Sequence, residues 1–151
     1  MPYRTREEAT VAYLGGQQVS GVSEADMQEP QRIISKLRRG FPAQTALWMR
    51  DHIRLKKSVF YVAVVRRQTI ESAQRRTEQR LSPEQSERLL RTARVYGLAT
   101  EAFGDRERAE RWMATPNPEL TDSSPAEYLD TETGTHWVET LLERMMYGVD
   151  T

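Results

Sequence analysis

Val59-Phe60-Tyr61-Val62-Ala63-Val64-Val65 is the stretch on which the fold class turns. Its β-branched and aromatic residues suit a buried strand by propensity. Yet helical patterns flank it on both sides, and no second run of similar quality offers itself as a pairing partner. A lone strand would leave its backbone donors and acceptors unpaired. Ser58 to Val65 is therefore read as a buried helix, and the chain as all-α.

Upstream, Pro30 can open a helix at a position where its missing N–H is not needed, with Ile33, Ile34 and Leu37 following at helical spacing until Gly40. Gly40-Phe41-Pro42 then turns the chain into a helix bearing Ala46, Leu47, Met49 and Ile53. Residues 1–30, with Gly15-Gly16, Gly21 and only short apolar stretches, read as an irregular arm.

Downstream, Arg66 to Arg80 is polar and basic, with Ile70 and Ala73 as its inward candidates. Ser82-Pro83-Glu84-Gln85 is a capping box with Pro at the first helical position. It opens a long helix whose Leu89, Leu90, Ala93, Tyr96 and Phe103 form one apolar stripe ending at Gly104. Asp105 caps a short helix with Ala109, Trp112 and Met113, which must stop by Thr115 because Pro116 disfavours helical geometry before it. Ser124-Pro125-Ala126-Glu127 is a second capping box. A final helix, Glu132 to Tyr147, places Trp137, Val138, Leu141, Leu142, Met145 and Met146 on a wide apolar face and ends at Gly148.

The formal net charge is zero, but its distribution is not even. From Arg32 to Arg80 there are 13 Lys or Arg against three acids; from Leu81 to Thr151 there are seven Arg against 14 acids. Such a split suits two partners, one polyanionic and one that accepts an acidic surface. The 151 residues contain no Cys, which rules out disulfides and thiolate metal sites and fits a reducing cytoplasm. No signal-like apolar run occurs near Met1, and no segment approaches the roughly 18 apolar residues of a membrane span. The expected location is the cytoplasm, with no membrane partner.

Catalytic constellations are missing from the pattern. His52 and His136 stand far apart without an acidic ligand at helical spacing, and no phosphate loop, nucleophile elbow or dinucleotide fingerprint occurs. The carboxylates mostly mark helix starts. No enzyme activity, metal or cofactor is expected.

A helix-turn-helix is possible over Ala43 to Ile53, Lys56 to Val65 and Arg67 to Gln79. A recognition helix needs amide or small hydroxyl side chains for base edges and cations for phosphates. Gln68, Thr69, Ser72 and Gln74, with Arg66, Arg67, Arg75 and Arg76, supply both kinds. The turn lacks the Gly that often stands in such motifs.

Arg80-Leu81-Ser82-Pro83-Glu84-Gln85, Ala102-Phe103-Gly104-Asp105, Ala109 to Trp112, Thr115-Pro116-Asn117-Pro118, Ser124-Pro125 to Thr131 and Tyr147-Gly148 occur in an order and spacing that resemble the MbcA/ParS/Xre antitoxin family. Leu14-Gly15-Gly16 and Arg39-Gly40-Phe41-Pro42 are similar to its N-terminal landmarks. The resemblance implies an Xre-like helix-turn-helix in the N-terminal half that binds the operon's promoter, and a small helical domain that inhibits a RES-domain toxin acting on NAD. It divides the chain into an arm over 1–30, a DNA-binding region over 31–80 and a toxin-binding domain over 81–151. It points to Trp112, Pro116, Asn117, Met146, Tyr147, Gly148, Val149 and Asp150 as toxin-binding residues, although Trp112 also suits core packing. A homodimer, or a hetero-oligomer with the toxin, is expected. The alternative is a dimeric helix-turn-helix regulator without a toxin partner, in which the acidic half serves dimerisation.

Overall fold

The computed structural model describes residues 3–148. Among them the regular structure is helical, and the two β-bridges, Pro42 with Arg80 and Asn117 with Ser123, are isolated. The stretch that decided the fold class is α6 (Lys57–Ala63). Its burial is partial: Phe60 and Ala63 face the core with Val64 and Val65 behind them, whereas Val62 is 72% exposed. The expected burial holds on one side only, because propensity reports residue type and not which side of the helix meets a neighbour.

The organising element is α8 (Pro83–Phe103), opened by the expected capping box: the Ser82 hydroxyl accepts from Gln85 N and Gln85 Oε1 accepts from Ser82 N. Gly104 ends it in the left-handed region. The expected single stripe is too narrow. From Leu89 to Thr100 every residue except Arg91 and Arg94 is buried, and Phe103 is only half-buried. A helix apolar nearly all round is a central helix, and α8 is packed by α1 (Arg6–Tyr13), α4 (Pro30–Arg39), α9 (Arg106–Ala114) and α10 (Glu132–Tyr147). Its buried Thr92 and Thr100 satisfy their hydroxyls on the carbonyls of Arg88 and Tyr96, one turn back.

The irregular arm is a correction. Thr5 caps α1, and Ser23 with Asp26 forms a full capping box on α3 (Glu24–Gln28), with the single turn α2 (Gln17–Ser20) between them. Ala9, Thr10, Tyr13 and Leu14 are buried where α1 meets α8. The few apolar residues of the arm are therefore core residues, made so by contacts about 90 positions away in sequence, such as Tyr13 Oη with Thr100 Oγ1 at 2.9 Å.

Two of the quoted landmarks meet in one joint. Leu81 N donates to Phe41 O at 2.9 Å, Ala43 N to Gln79 O at 2.8 Å and Phe41 N to Ser86 Oγ at 2.7 Å. Gly40 has φ +92°, and a Cβ there would stand 2.1 Å from Leu81 O. Only glycine lets the two backbones approach this closely. The joint ties the start of α5 (Ala43–His52) to the start of α8.

Candidate functional site

The basic helices α5, α6 and α7 (Arg67–Arg75) follow one another closely, with Val64-Val65-Arg66 as the turn before α7. Ile70 and Ala73 anchor α7 as expected. Arg66, Arg67, Gln68, Arg75 and Arg76 are exposed, and Thr69 and Ser72 are half-buried. The helix stops at Arg75, four residues before the expected Gln79, because Arg76 adopts extended backbone. Arg76 thus belongs to the following turn, where its Nη1 donates to Arg80 O at 3.0 Å. Arg67 lies over the Tyr61 ring at 5.0 Å. A hydrogen bond from Arg50 lowers the Tyr61 hydroxyl's pKa, and the same contact raises that of Arg50 after its bonds to Asp51.

Against the end of α5, Asp105 caps α9 on Arg108 N, and Thr115 closes it. Trp112 is half-buried, tilted against Phe103 at a ring separation of 5.9 Å. It lines a cleft of about 370 Å³ together with Asn117, Glu119, Leu141, Arg144, Met145 and Gly148. Asn117 also has a conformational duty, since its Oδ1 accepts from Glu119 N at 2.9 Å to start the 3-10 turn Pro118–Leu120. The structure therefore brings Trp112, Asn117 and Gly148 together. Pro116 stands elsewhere, on a second cleft of about 760 Å³ with Arg54, Lys56, Ser124 and Glu127.

The last helix, α10, differs from its expected single apolar face. Val138, Leu141 and Leu142 are buried, but Trp137 is 55% and Met145 46% exposed. The exposed Trp137 and Met145 form a ridge with the buried Leu141 between them at four-residue spacing, and Leu141 and Met145 line the cleft. Met146 packs half-buried against the core, Tyr147 is 68% exposed, and Gly148 ends the helix in the left-handed region. Val149 and Asp150 lie outside the described residues. Sequence reasoning named neither Trp137 nor Met145 as a site residue. Their signal was a face too wide for one contact: six large apolar residues in ten positions exceed what a two-layer packing covers.

Between the two regions lies a buried carboxylate. Glu110 of α9, 5% exposed, accepts from Arg54 N at 2.6 Å and from Arg106 Nε at 2.6 Å, with Tyr13 Oη at 3.4 Å. It thereby joins α1, the end of α5 and α9. Burial, reinforced by Glu110, raises the pKa of Tyr13, although the hydroxyl of Thr100 opposes the shift. Among the described residues no cluster of His, Asp and Glu could hold a metal, and no helix is long and apolar enough to cross a membrane.

The model of the antitoxin Xre/MbcA/ParS C-terminal toxin-binding domain matches residues 98–148, the stretch that carries the cleft and the ridge. The chain is 35% identical over 122 residues to an antitoxin Xre of Yersinia enterocolitica, an alignment covering 78% of this chain and 80% of that protein. It is 32% identical over 71 residues to an antitoxin Xre of Pseudomonas putida, covering 47% and 45% of the two chains. A third antitoxin Xre, from Photorhabdus laumondii, is 34% identical over 71 residues, covering 46% and 48%.

Proposed function

The chain belongs to the Xre/MbcA/ParS antitoxin family, and from that premise we propose that it neutralises a RES-domain toxin by covering the toxin's NAD entrance, and that α5 to α7 repress its own operon. The observation that carries the first half is the location of the exposed apolar side chains. Of the five exposed large apolar side chains among the described residues, Trp137, Met145 and Tyr147 belong to α10, within the matched domain, and Ile34 and Val62 stand singly on α4 and α6. Large apolar groups exposed beside a concave surface mark a protein contact. The occluding part is the end of α10 with the residues that follow Gly148, and Trp137 and Met145 anchor it on the toxin surface. Trp112 packs on Phe103 and also lines the cleft, which supports a contact with the toxin beside its packing role.

Removing Tyr147 to Thr151 is expected to abolish protection in a growth assay with a co-expressed RES-domain toxin, while the melting temperature stays within a few degrees. Full protection by the truncated protein would overturn occlusion by this end. Replacing Trp137 by Ala should weaken toxin capture by roughly tenfold to a hundredfold, the cost of losing one aromatic anchor of about 1.4–2.8 kcal/mol.

The repressor half rests on the exposed cations around α7 and on Gln68 beside them. A homodimer would present two copies of α7 to two half-sites. Sedimentation of the purified protein, with and without a duplex from upstream of its gene, measures this.

A further inference from the structure

Arg88 and Arg91 stand one turn apart on α8, where it meets the end of α6 and the 3-10 helix Pro125–Asp130. Arg88 Nη2 donates to Ala63 O at 3.0 Å, and Arg91 Nη2 to Leu129 O at 3.5 Å. The Nε of each is buried and meets no acceptor among the described residues. Neither guanidinium forms an ion pair there, and neither Nη1 is bonded or sealed from solvent. Arg66, at the N-cap position of α7 and three residues after the Ala63 whose carbonyl holds Arg88, adds a third cation.

The charge of this group is undercompensated. Burial, then Arg91, and then Arg66 push the pKa of Arg88 below the usual arginine range, with Asp130 as the one opposing carboxylate. Holding the two carbonyls requires only neutral donors. Two adjacent guanidiniums, partly desolvated and each with a free Nη1, are instead suited to a tetrahedral oxyanion, which the planar fork meets better than an ammonium would. The anion's source follows from position. Arg66 belongs to the N-terminal end of α7, and in helix-turn-helix binding the phosphodiester backbone flanks that end of the groove helix.

We propose that Arg66, Arg88 and Arg91 form a clamp for one backbone phosphate of duplex DNA, so that the central helix α8 contributes to the DNA footprint. The clamp rests on the DNA-binding reading above. A phosphate contact of this kind adds affinity without sequence preference.

The test uses the full chain and two duplexes of equal length, one from upstream of its own gene and one unrelated, titrated over a range of salt. Arg91→Gln is expected to weaken binding to both by the same factor and to reduce the slope of log K against log salt by about 0.9. Arg91→Lys keeps the charge and should keep most of the slope. Arg66→Gln combined with Arg91→Gln should lose less than the sum of the single losses, because the two share one phosphate. Toxin neutralisation should be unaffected in every variant. If the wild-type chain binds duplex and Arg91→Gln binds with the same affinity and slope, the clamp is wrong while the repressor reading stands. If the wild-type chain binds neither duplex, both are wrong. Loss of toxin neutralisation with DNA affinity intact would reassign the cluster to a carboxylate of the toxin and overturn the proposal.

Discussion

Two buried carboxylates carry more of the structure than their number in this acid-rich chain suggests. Asp26 is 2% exposed, yet Ser23 N donates to its Oδ2, the Ser23 hydroxyl accepts from its backbone N–H, and Arg32 lies 2.9 Å from its Oδ1. Burial alone would raise its pKa, but the Ser23 bonds, then Lys36 and Arg32, outweigh burial and lower it. A carboxyl with a depressed folded pKa contributes stability that is present above its unfolded value of about 3.9 and lost as pH falls through the folded one. Asp26→Asn should therefore be less stable than the native chain at pH 7. That difference should shrink on acidification below about pH 4, as urea midpoints across pH would measure. Glu110 has no such solvent-exposed partners to fall back on. Its removal in Glu110→Ala leaves Arg106 unpaired and Arg54 N without an acceptor. A loss of about 3 kcal/mol is expected in denaturant unfolding.

Helix ends were legible wherever the chemistry is local. The capping boxes at Ser82 and Ser124 and the caps at Asp105 and Gly104 involve residues one turn apart or less, so the sequence contains the whole interaction. Faces were harder. The burial of Gly97 and Thr100 on α8 depends on α1, and the exposure of Trp137 on α10 depends on where α8 and the 3-10 helix Pro125–Asp130 stop covering it. The cleft was legible to the same extent: the resemblance marked Trp112, Asn117 and Gly148, which share it, while Met145 and Leu141 were hidden in an apolar face that the sequence could not divide. The Gly40 landmark shows a local motif with a long-range cause, since its partner is Leu81. Gly40→Ala should cost at least about 2 kcal/mol, through the left-handed backbone and the clash with Leu81 O. Ser82→Ala, which removes only the cap, should cost about 1 kcal/mol. Thermal melts of the two variants would rank them, and a Gly40→Ala protein as stable as the native one would refute the joint.

The basic and acidic regions share α8, and this bears on how the whole chain unfolds. Its first turn is bonded to Phe41 and its last turns carry α1, α9 and α10. Glu110 adds a second tie by holding Arg54, just beyond α5. The chain is thus expected to melt as one unit, with neither region separable by mild destabilisation. Tryptophans report the two regions independently: Trp48 in α5, stacked on His52 at 4.2 Å, and Trp112 with Trp137 in α9 and α10. In a chain keeping only Trp48 and in one keeping only the other two, the fluorescence transitions in urea should coincide in midpoint with that of far-ultraviolet circular dichroism. The contact between α1 and α8 provides the lever. A Cβ at Gly97 would approach Thr10 Oγ1 to 2.7 Å and Arg6 O to 3.3 Å, so Gly97→Leu must push α1 away. An overpacking cost of up to about 3 kcal/mol is expected, which for a chain of this length lowers the melting temperature by roughly 6–12 °C. If the regions form one cooperative unit, that shift will appear equally in the signal from Trp48, although Trp48 is in another helix from the altered residue. A shift confined to Trp112 and Trp137 would show that α8 joins two independently folding parts.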